Sequence, residues 1–243
     1  MTLTTMEEEA AQAGARLERA DAREVLEWGL RRYSPDIALA CSFGGASGMA
    51  LLDMAASMGR AFEVFYLDTD LLFPETYALI ERVRARYGVE PVAYRSRWTL
   101  EAQEREFAPN LWERDPDMCC SLRKVEPNAR ALEGKRAWIA GLRRDQAATR
   151  AAINKVEWDR KFELVKLNPL ADWTEDDVWR YVRERGVPYN GLHDRGYTSI
   201  GCVHCTRPAS AANGDLRAGR WAGFDKTECG LHTDGPLQLP ISK

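Results

Sequence analysis

The sequence predicts an α/β fold built on a parallel sheet, and three observations predict it. Short apolar runs alternate with amphipathic segments from residue 36 to about residue 185, which is typical of strands joined by helical crossovers. The chain has 243 residues, of which 45% are hydrophobic, so it can fill the core of one large α/β domain. It contains no linker rich in Gly, Ser or Pro, so one domain is expected rather than two.

The individual elements are predicted from apolar periodicity and from residues that begin helices. Residues 1–35 are expected to be helical, with an amphipathic pattern over residues 22–32. Pro74 suits the first turn of a helix. Thr174 stands before three acidic residues and is predicted to cap a helix that runs to about Arg185. The predicted strands occupy residues 36–41, 62–67, 90–94, 137–140 and 162–167.

The chain is divided into three parts by these elements. We expect an N-terminal helical segment at residues 1–35 and the α/β domain, with its functional site, at residues 36–210. The remaining residues, 211–243, are expected to form a mobile C-terminal tail. Because parallel sheets bind ligands at the carboxyl ends of their strands, the segments after residues 41, 67 and 140 are the candidate binding loops.

Two of these loops have compositions that suit an anion. The glycine loop, residues 42–48, reads SFGGASG and precedes a predicted helix, so its amide groups and the helix N-terminus could hold an anion. It is not a Walker A loop, because no Gly-Lys-Ser/Thr follows. The arginine loop, residues 141–150, reads GLRRDQAATR, and guanidinium groups pair well with phosphate or sulfate. A plain turn and a solvated surface loop are the structural alternatives.

Four of the six cysteines form two close pairs, which indicates a metal or cluster site. Cys119 and Cys120 are adjacent, and Cys202 and Cys205 form a CxxC. A disulfide between neighbouring cysteines is strained. Adjacent ligands crowd one zinc ion but can bind separate irons of a 4Fe–4S cluster, so the cysteine quartet (these four residues) favours a cluster, with zinc as the alternative.

The two remaining cysteines are expected to differ in role. Cys229 lies in the tail within the run KTECGLH, where basic and polar neighbours could lower its pKa towards a reactive thiolate. The alternative is a spare cysteine in a frayed tail. Cys41 ends an apolar run and is predicted to be a buried strand residue.

The charge and hydropathy of the chain exclude several classes of partner. The net charge is −3, from 34 Lys and Arg against 37 Asp and Glu, which disfavours binding to duplex nucleic acid. No apolar run approaches the roughly 18 residues of a membrane helix, and the first residues lack the basic start and apolar middle of a signal peptide. We therefore expect a cytoplasmic protein without a membrane or nucleic-acid partner, and we expect it to be a homo-oligomer.

Taken together, the motifs resemble the assimilatory adenylylsulfate (adenosine 5′-phosphosulfate, APS) reductases, the iron–sulfur relatives of the phosphoadenylylsulfate (PAPS) reductases. The resemblance rests on the cysteine quartet, on the run TRP after Cys205, and on ECGLH at residues 228–232. The run LDT at residues 67–69, with FPET at residues 73–76, matches the same family. The resemblance extends from about residue 36 to residue 232.

The resemblance implies a Rossmann-like fold of the adenine-nucleotide α-hydrolase (PP-loop) type and a 4Fe–4S cluster on the quartet. It implies that Cys229 attacks APS, that a thiosulfonate forms on Cys229, and that thioredoxin or a similar dithiol protein then releases sulfite. Lys124 would lie between cluster and substrate. The implied substrate contacts are Ser42, Gly44, Gly45, Leu67, Lys124, Gly141, Arg143, Arg144, Arg150, Arg217 and Arg220.

The chain departs from the family pattern in two places. Residues 70–71 are Asp-Leu where the family usually has Gly-Arg, and residues 47–48 are Ser-Gly where APS-using members carry Glu-Asp. A carboxylate that could repel the 3′-phosphate of PAPS is therefore missing, and Arg143 and Arg144 are available to pair with it. We predict a preference for APS with some turnover of PAPS.

Several alternatives remain open on the sequence alone. A PP-loop ATP pyrophosphatase would need a Ser-Gly-Gly-x-Asp-Ser loop, and the glycine loop lacks the aspartate. A zinc-stapled binding module is the second alternative, which metal content would distinguish. His204, inside the CxxC, is a conceivable iron ligand, and His232 is a candidate for keeping Cys229 ionised.

Overall fold

The computed structural model describes residues 3–209 and 215–232. Within these ranges the strands are β1 (Ile37–Ala40), β2 (Glu63–Asp68), β3 (Val92–Arg95), β4 (Ala137–Ala140), β5 (Val156–Asp159) and β6 (Leu164–Leu167). The helices are α1 (Leu3–Leu17), α2 (Ala22–Tyr33), α3 (Ala46–Ala56), α4 (Pro74–Tyr87), α5 (Leu100–Glu106), α6 (Leu111–Arg114), α7 (Pro116–Cys120), α8 (Glu126–Leu132) and α9 (Glu175–Glu184).

The strands form one six-stranded sheet in the order β3-β2-β1-β4-β6-β5. The pairs β3–β2, β2–β1, β1–β4 and β4–β6 are parallel, so the predicted α/β fold is confirmed. The fully parallel arrangement is corrected at one edge, where β5 pairs antiparallel with β6. Sequence reasoning missed β5 because Val156–Asp159 reads VEWD, a short edge strand without a clear apolar pattern.

The two faces of the sheet are covered unequally, as the alternation of side chains along each strand requires. Ile37 and Leu39 of β1 face a large core that is completed by α1, α2, α3, α4 and α9. Ala38 and its neighbour Trp138 on β4 face the opposite side, where α8 supplies Ala131 and Leu132. A separate apolar cluster surrounds the cysteines and includes buried residues of α6 and of the turn after α7.

Helix starts follow the local chemistry of the sequence. Pro74 begins α4 at its first turn, as predicted. The predicted cap Thr174 accepts a hydrogen bond from the Asp177 amide, and Asp177 bonds back to Thr174 to complete a capping box. Helix α3 begins at Ala46, so the last three residues of the predicted glycine loop are the first turn of a helix instead.

Of the predicted boundaries between the three parts, the structure describes the surroundings of the first. Helices α1 and α2 pack directly on the sheet, so residues 1–35 form part of the main α/β layers as far as they are described. The predicted boundary at residue 211 and the tail residues 233–243 lie outside the described residues, as do Met1 and Thr2. Among the described helices, none combines the length and apolar composition needed to span a membrane.

Candidate active site

A pocket of about 250 Å³ opens at the carboxyl ends of β1, β2 and β4. Strands β1 and β4 are neighbours, while the connections from β1 run towards β2 and β3 on the other side. This is the topological switch point at which open α/β sheets bind ligands. The predicted site residues that line it are Ser42, Gly44, Gly45, Leu67, Lys124, Gly141, Arg143, Arg150, Arg217, Arg220 and Cys229.

The glycine loop is held tightly by the segment that leads to the CxxC. A Cβ atom on Gly44 would lie 2.6 Å from the carbonyl oxygen of Ile200, so only glycine fits between the two backbones. His193 Nε2 contacts the Gly44 carbonyl oxygen at 3.0 Å, and Asn190 Nδ2 donates to the Phe43 carbonyl oxygen at 3.1 Å. These contacts fix the amides that lead into α3, where a helix N-terminus favours an anion.

The arginine loop divides its side chains between the pocket and the protein body. The Arg143 guanidinium is buried and pairs with Asp145 at 2.9 Å and with Glu175. Arg144 pairs with Glu18 and donates to the carbonyl oxygen of Ile153 at 3.0 Å. Arg144, a predicted substrate contact, does not line this pocket, and its partner Glu18 lies just beyond the end of α1.

The quartet brings together four free thiols from two distant segments. Cys119, Cys202 and Cys205 pack in one apolar cluster. Burial raises the pKa of Cys119 to about 12, with further upward effects from the charges of Cys120, Cys202 and Cys205. Burial likewise raises the pKa of Cys120 to about 11. Across residues 3–209 and 215–232, no three Cys, His, Asp or Glu side chains are arranged to hold a single metal ion.

The donor set of the quartet consists of sulfur alone. Four sulfur ligands without an oxygen ligand suit either zinc or iron–sulfur chemistry. His204 is exposed, and its ring stacks on Trp112 with 4.2 Å between ring centroids, so its contact is with the indole.

The segment after Cys120 positions a lysine between the quartet and the pocket. Residues Ser121–Val125 form a turn of π-helix, a form often found at functional sites. Lys124, within this turn, lines the pocket. Burial opposes its charge, but the thiols of Cys202, Cys120 and Cys229 favour it, and the pKa of Lys124 is raised above its ordinary 10.5. The ammonium group therefore stays charged beside three sulfur atoms.

Cys229 is the cysteine whose surroundings favour the thiolate. Burial opposes ionisation, but Lys124 and a hydrogen bond from the Leu231 backbone outweigh it, with help from Arg217 and Arg220. The pKa of Cys229 is consequently lower than its ordinary 9.0. A thiolate is the nucleophilic form of cysteine. By contrast, burial raises the pKa of Cys41 to about 12, and Cys41 is buried directly after β1, as predicted.

Arg217 and Arg220 reach the pocket from the described part of the tail. Arg220 lies over the Trp221 ring at 4.5 Å and donates to the Cys205 carbonyl oxygen at 3.3 Å. A Cβ atom on Gly201 would lie 2.4 Å from Arg220 Nη2, so a side chain there would displace the guanidinium. Burial, followed by the charge of Arg150, lowers the pKa of Arg217 to about 10, and the side chain remains cationic at neutral pH.

Among the described residues that line the pocket, four carry a buried polar atom without a hydrogen-bond partner, and sequence reasoning missed all of them except His232. The atoms are Asn128 Nδ2, Trp138 Nε1, Thr198 Oγ1 and His232 Nδ1. Orphaned buried donors are costly unless a ligand or water satisfies them. No local motif marks these positions, because three of them come from elements outside the recognised loops.

His232 is poorly placed to supply positive charge. Its ring stacks on Trp138 with 5.3 Å between centroids. Burial, then the charges of Lys166, Arg150 and Arg217, hold the pKa of His232 well below its ordinary 6.5. The imidazole is therefore neutral near pH 7, and the cations that favour the Cys229 thiolate are Lys124 and the tail arginines instead.

The fold and the site define a PP-loop-like α/β protein whose anion pocket contains an activated thiol. The chain belongs to the phosphoadenosine phosphosulfate reductase family, whose domain model matches residues 36–208.

Individual relatives agree with this membership. The chain is 50% identical to the adenosine 5′-phosphosulfate reductase of Geobacillus kaustophilus, over 88% of this chain and 91% of that protein. It is 49% identical to adenosine 5′-phosphosulfate reductase 2 of Bacillus subtilis, over 88% and 90%. The crystal structure of the Candida auris PAPS reductase, a phosphate complex, matches with a TM-score of 0.72 and 30% identity, over 83% of this chain and 97% of that one.

A more distant likeness concerns the fold alone. The Candida glabrata FMN adenylyltransferase superposes with a TM-score of 0.55 at 15% identity, over 98% of this chain and 87% of that one. The α/β fold is therefore shared well beyond the reductase family.

Proposed function

We propose that this protein reduces APS to sulfite and AMP in sulfate assimilation, with Cys229 as the nucleophile. The observation that carries the proposal is a thiol of lowered pKa in the pocket, surrounded by Lys124, Arg217 and Arg220. The names of the relatives, which are APS reductases at about half identity, support APS as the substrate.

The proposed reaction has two balanced steps. The Cys229 thiolate attacks the sulfur of the sulfate group, an S–S bond forms, and the bond between sulfur and the bridging oxygen breaks to release AMP. The enzyme then carries a thiosulfonate on Cys229. A thiolate of a dithiol protein, expected to be thioredoxin, attacks the Cys229 sulfur and releases sulfite, and its second thiol closes a disulfide on the carrier while restoring Cys229. The dithiol supplies both electrons.

The cationic side chains would act on the charge that moves in the first step. Lys124 and Arg220 lie beside Cys229 and would neutralise the phosphosulfate oxygens, so that AMP leaves as a stable dianion. The amides of the glycine loop would hold the α-phosphate. The unpaired donors Asn128 Nδ2 and Trp138 Nε1 would pair with acceptor oxygens of the same substrate.

The cofactor in this proposal is a 4Fe–4S cluster on Cys119, Cys120, Cys202 and Cys205. When bound, such a cluster supplies a rigid cross-link between two segments and a local charge next to Lys124. The purified protein is expected to be brown and to contain iron and acid-labile sulfide, and Cys120→Ser is expected to lose both. A colourless, zinc-containing and active protein would contradict this assignment.

The pocket supports APS over PAPS more strongly than the sequence does. Arg143 and Arg144 were expected to be free for a 3′-phosphate, but both are already paired with carboxylates. Arg143 together with Asp145 and Glu175 has a net charge of −1, and Arg143 also donates to Ser47 Oγ. Residual negative charge beside the glycine loop disfavours an extra phosphate.

The experiment is sulfite release from APS and from PAPS by anaerobically purified protein with a thioredoxin system. We expect kcat/KM to be at least about tenfold higher for APS, since two like charges about 4 Å apart repel by roughly 1 kcal/mol in water and about 4 kcal/mol near a protein surface, and about 1.4 kcal/mol corresponds to tenfold. A preference for PAPS would overturn the substrate assignment. Release of pyrophosphate from ATP, without sulfite from either nucleotide, would favour the ATP pyrophosphatase instead.

A further inference from the structure

A buried ion pair joins the arginine loop to the residue that precedes Cys229. Arg150 Nε donates to Glu228 Oε1 at 2.8 Å, and Arg150 Nη2 donates to Glu228 Oε2 at 2.7 Å. This is the bidentate geometry of the strongest arginine–carboxylate pairs. Only 9% of the Arg150 side chain and 7% of the Glu228 side chain are exposed, so water screens the pair weakly.

Both partners make further contacts with the arginine loop. Gln146 Oε1 accepts from Arg150 Nη1 at 2.5 Å and from the Arg143 amide at 3.1 Å, so the guanidinium is oriented by its own loop. Glu228 Oε1 also accepts from Thr149 Oγ1 of that loop at 3.2 Å. The pair is therefore the centre of a small network and not an isolated surface contact.

Other contacts hold the backbone on either side of Cys229. Arg217 donates to the Thr227 carbonyl oxygen at 3.1 Å, and Lys161 Nζ donates to the Gly230 carbonyl oxygen at 2.7 Å. Cationic side chains therefore engage the carbonyl group two residues before Cys229 and the one directly after it. Within residues 227–230, it is the side chain of Glu228 that forms an ion pair with the main domain.

We propose that Arg150 is a positioning residue for the tail, and that its pair with Glu228 sets how long Cys229 stays in the pocket. This rests on the proposed function, and it replaces the predicted role of Arg150 as a substrate contact. Two guanidinium groups, Arg150 and Arg217, face one carboxylate, so one positive charge remains for an anionic substrate, and Arg217 provides it. The pair must break before a dithiol protein can reach Cys229.

The test measures carbamidomethylation of Cys229 by iodoacetamide in the anaerobic holoenzyme, with the Cys229 peptide quantified by mass spectrometry. The variants are Glu228→Gln, Arg150→Gln and the double variant. Arg84→Gln serves as the control, because Arg84 pairs with Glu81 and Glu90 on and just beyond α4. If the pair holds the tail, Cys229 is expected to be alkylated at least about tenfold faster in both single variants. This factor is smaller than the full destabilisation that breaking a buried ion pair can cause.

The signs of the two single-variant effects distinguish release of the tail from a change in thiol ionisation. A purely electrostatic effect on the thiol would have opposite signs, since removing the charge of Glu228 favours the thiolate whereas removing the charge of Arg150 disfavours it. Faster alkylation in both variants therefore requires release of the tail. The double variant is expected to match either single variant, because the same interaction is lost once.

The affinity for AMP, measured by calorimetry, completes the test. We expect Arg150→Gln to change the Kd for AMP by less than about threefold, as in Glu228→Gln, a difference of under about 0.7 kcal/mol. Weaker AMP binding in Arg150→Gln alone, with unchanged alkylation in Glu228→Gln, would return Arg150 to the substrate site and overturn the proposal. Unchanged alkylation in both single variants would also overturn it. Neither alkylation of Cys229 nor AMP binding depends on sulfite release. Failure of this proposal is therefore distinguishable from failure of the proposed reaction.

Discussion

The two ends of the pocket are held by different kinds of interaction. At the glycine loop, the contacts are between backbones close to the sheet, as where Gly44 meets the Ile200 carbonyl oxygen. At the sulfur end, charged side chains join distant segments, as in Arg150 with Glu228 and Lys226 with Asp117. Backbone packing gives a preformed loop, whereas a few ion pairs can open and reclose during each turnover. We therefore expect the glycine loop, the rigid end, to bind the ligand. We expect movement at the sulfur end, called the charged end below, where Cys229 lies.

The largest effect is expected at the junction of the two ends, from Lys124→Gln. Lys124 is the cation next to both the quartet and Cys229, and loss of one preorganised charge in a closed site typically lowers kcat by about 10²–10³. Steady-state sulfite release from APS measures it. Lys135→Gln is the matched control, because Lys135 pairs with Glu63 at 2.9 Å and does not line the pocket. A loss of less than about tenfold would mean that Lys124 is structural.

A smaller effect is expected from removing one tail arginine. Arg217→Gln and Arg220→Gln should each lower kcat/KM for APS by an amount that corresponds to about 1.5–3 kcal/mol, the usual value for a hydrogen bond to a charged group. Arg183→Gln, on α9 with its guanidinium 5.8 Å from the Trp179 ring centroid, should leave kcat/KM near that of the unchanged protein. Equal values for all three variants would place the tail arginines in solvent.

The rigid end is tested by adding one methyl group. Gly44→Ala should destabilise the fold by about 1–3 kcal/mol, the usual cost of overpacking, and weaken AMP binding, because its Cβ would lie 2.6 Å from a carbonyl oxygen. Gly45→Ala is the matched control for stability, since nothing in the protein lies within 4 Å of a Cβ there. Urea unfolding of both variants measures the stability effect, and calorimetry with AMP measures the binding effect in Gly44→Ala. Equal stability of the two variants would show that the loop adapts and is not preformed.

The smallest effect concerns pH at the charged end. Burial raises the pKa of Glu228, but Arg150 and Arg217 outweigh it, so this pKa lies below its ordinary 4.5. A lowered carboxyl pKa stabilises the docked tail fully above the ordinary value, and the stabilisation is lost as pH falls through the lowered value. The measurement uses the Cys229→Ser/His232→Asn double variant, because the lowered pKa values of Cys229 and His232 would themselves weaken docking as pH falls. In that variant, amide exchange in residues 226–231, corrected for intrinsic rates, should show constant protection from about pH 8 to about pH 5. Protection that declines already between about pH 7 and about pH 5 would contradict the pairing, and Glu228→Gln should remove it throughout.

The rigid end was largely predictable from the sequence, because its signals are local. Apolar runs predicted β1, β2 and β4, and Pro74 and Thr174 predicted helix starts. The antiparallel strand Val156–Asp159 was missed, since a short edge strand needs no periodic apolar pattern.

The charged end was predictable in its residue types but not in its pairings. The motif that contains Cys229 predicted a reactive thiol, yet nothing local says that Glu228 meets Arg150 or that Arg144 turns to Glu18. These pairs join residues far apart in sequence, and the choice among several arginines depends on tertiary geometry. Trp138 and Asn128 were missed for the same reason, because an indole or an amide becomes informative only when its buried donor has no partner.

The most direct test of the account is to mix the anaerobic holoenzyme with APS in the absence of any dithiol and to analyse its peptides by mass spectrometry. The account predicts one added SO₃ group on the Cys229 peptide, release of AMP, and free sulfite only after thioredoxin is added. Cys229→Ser should bind AMP normally and carry no adduct. An adduct on Cys41, or sulfite release by the Cys229→Ser variant, would contradict the assignment of Cys229 as the nucleophile.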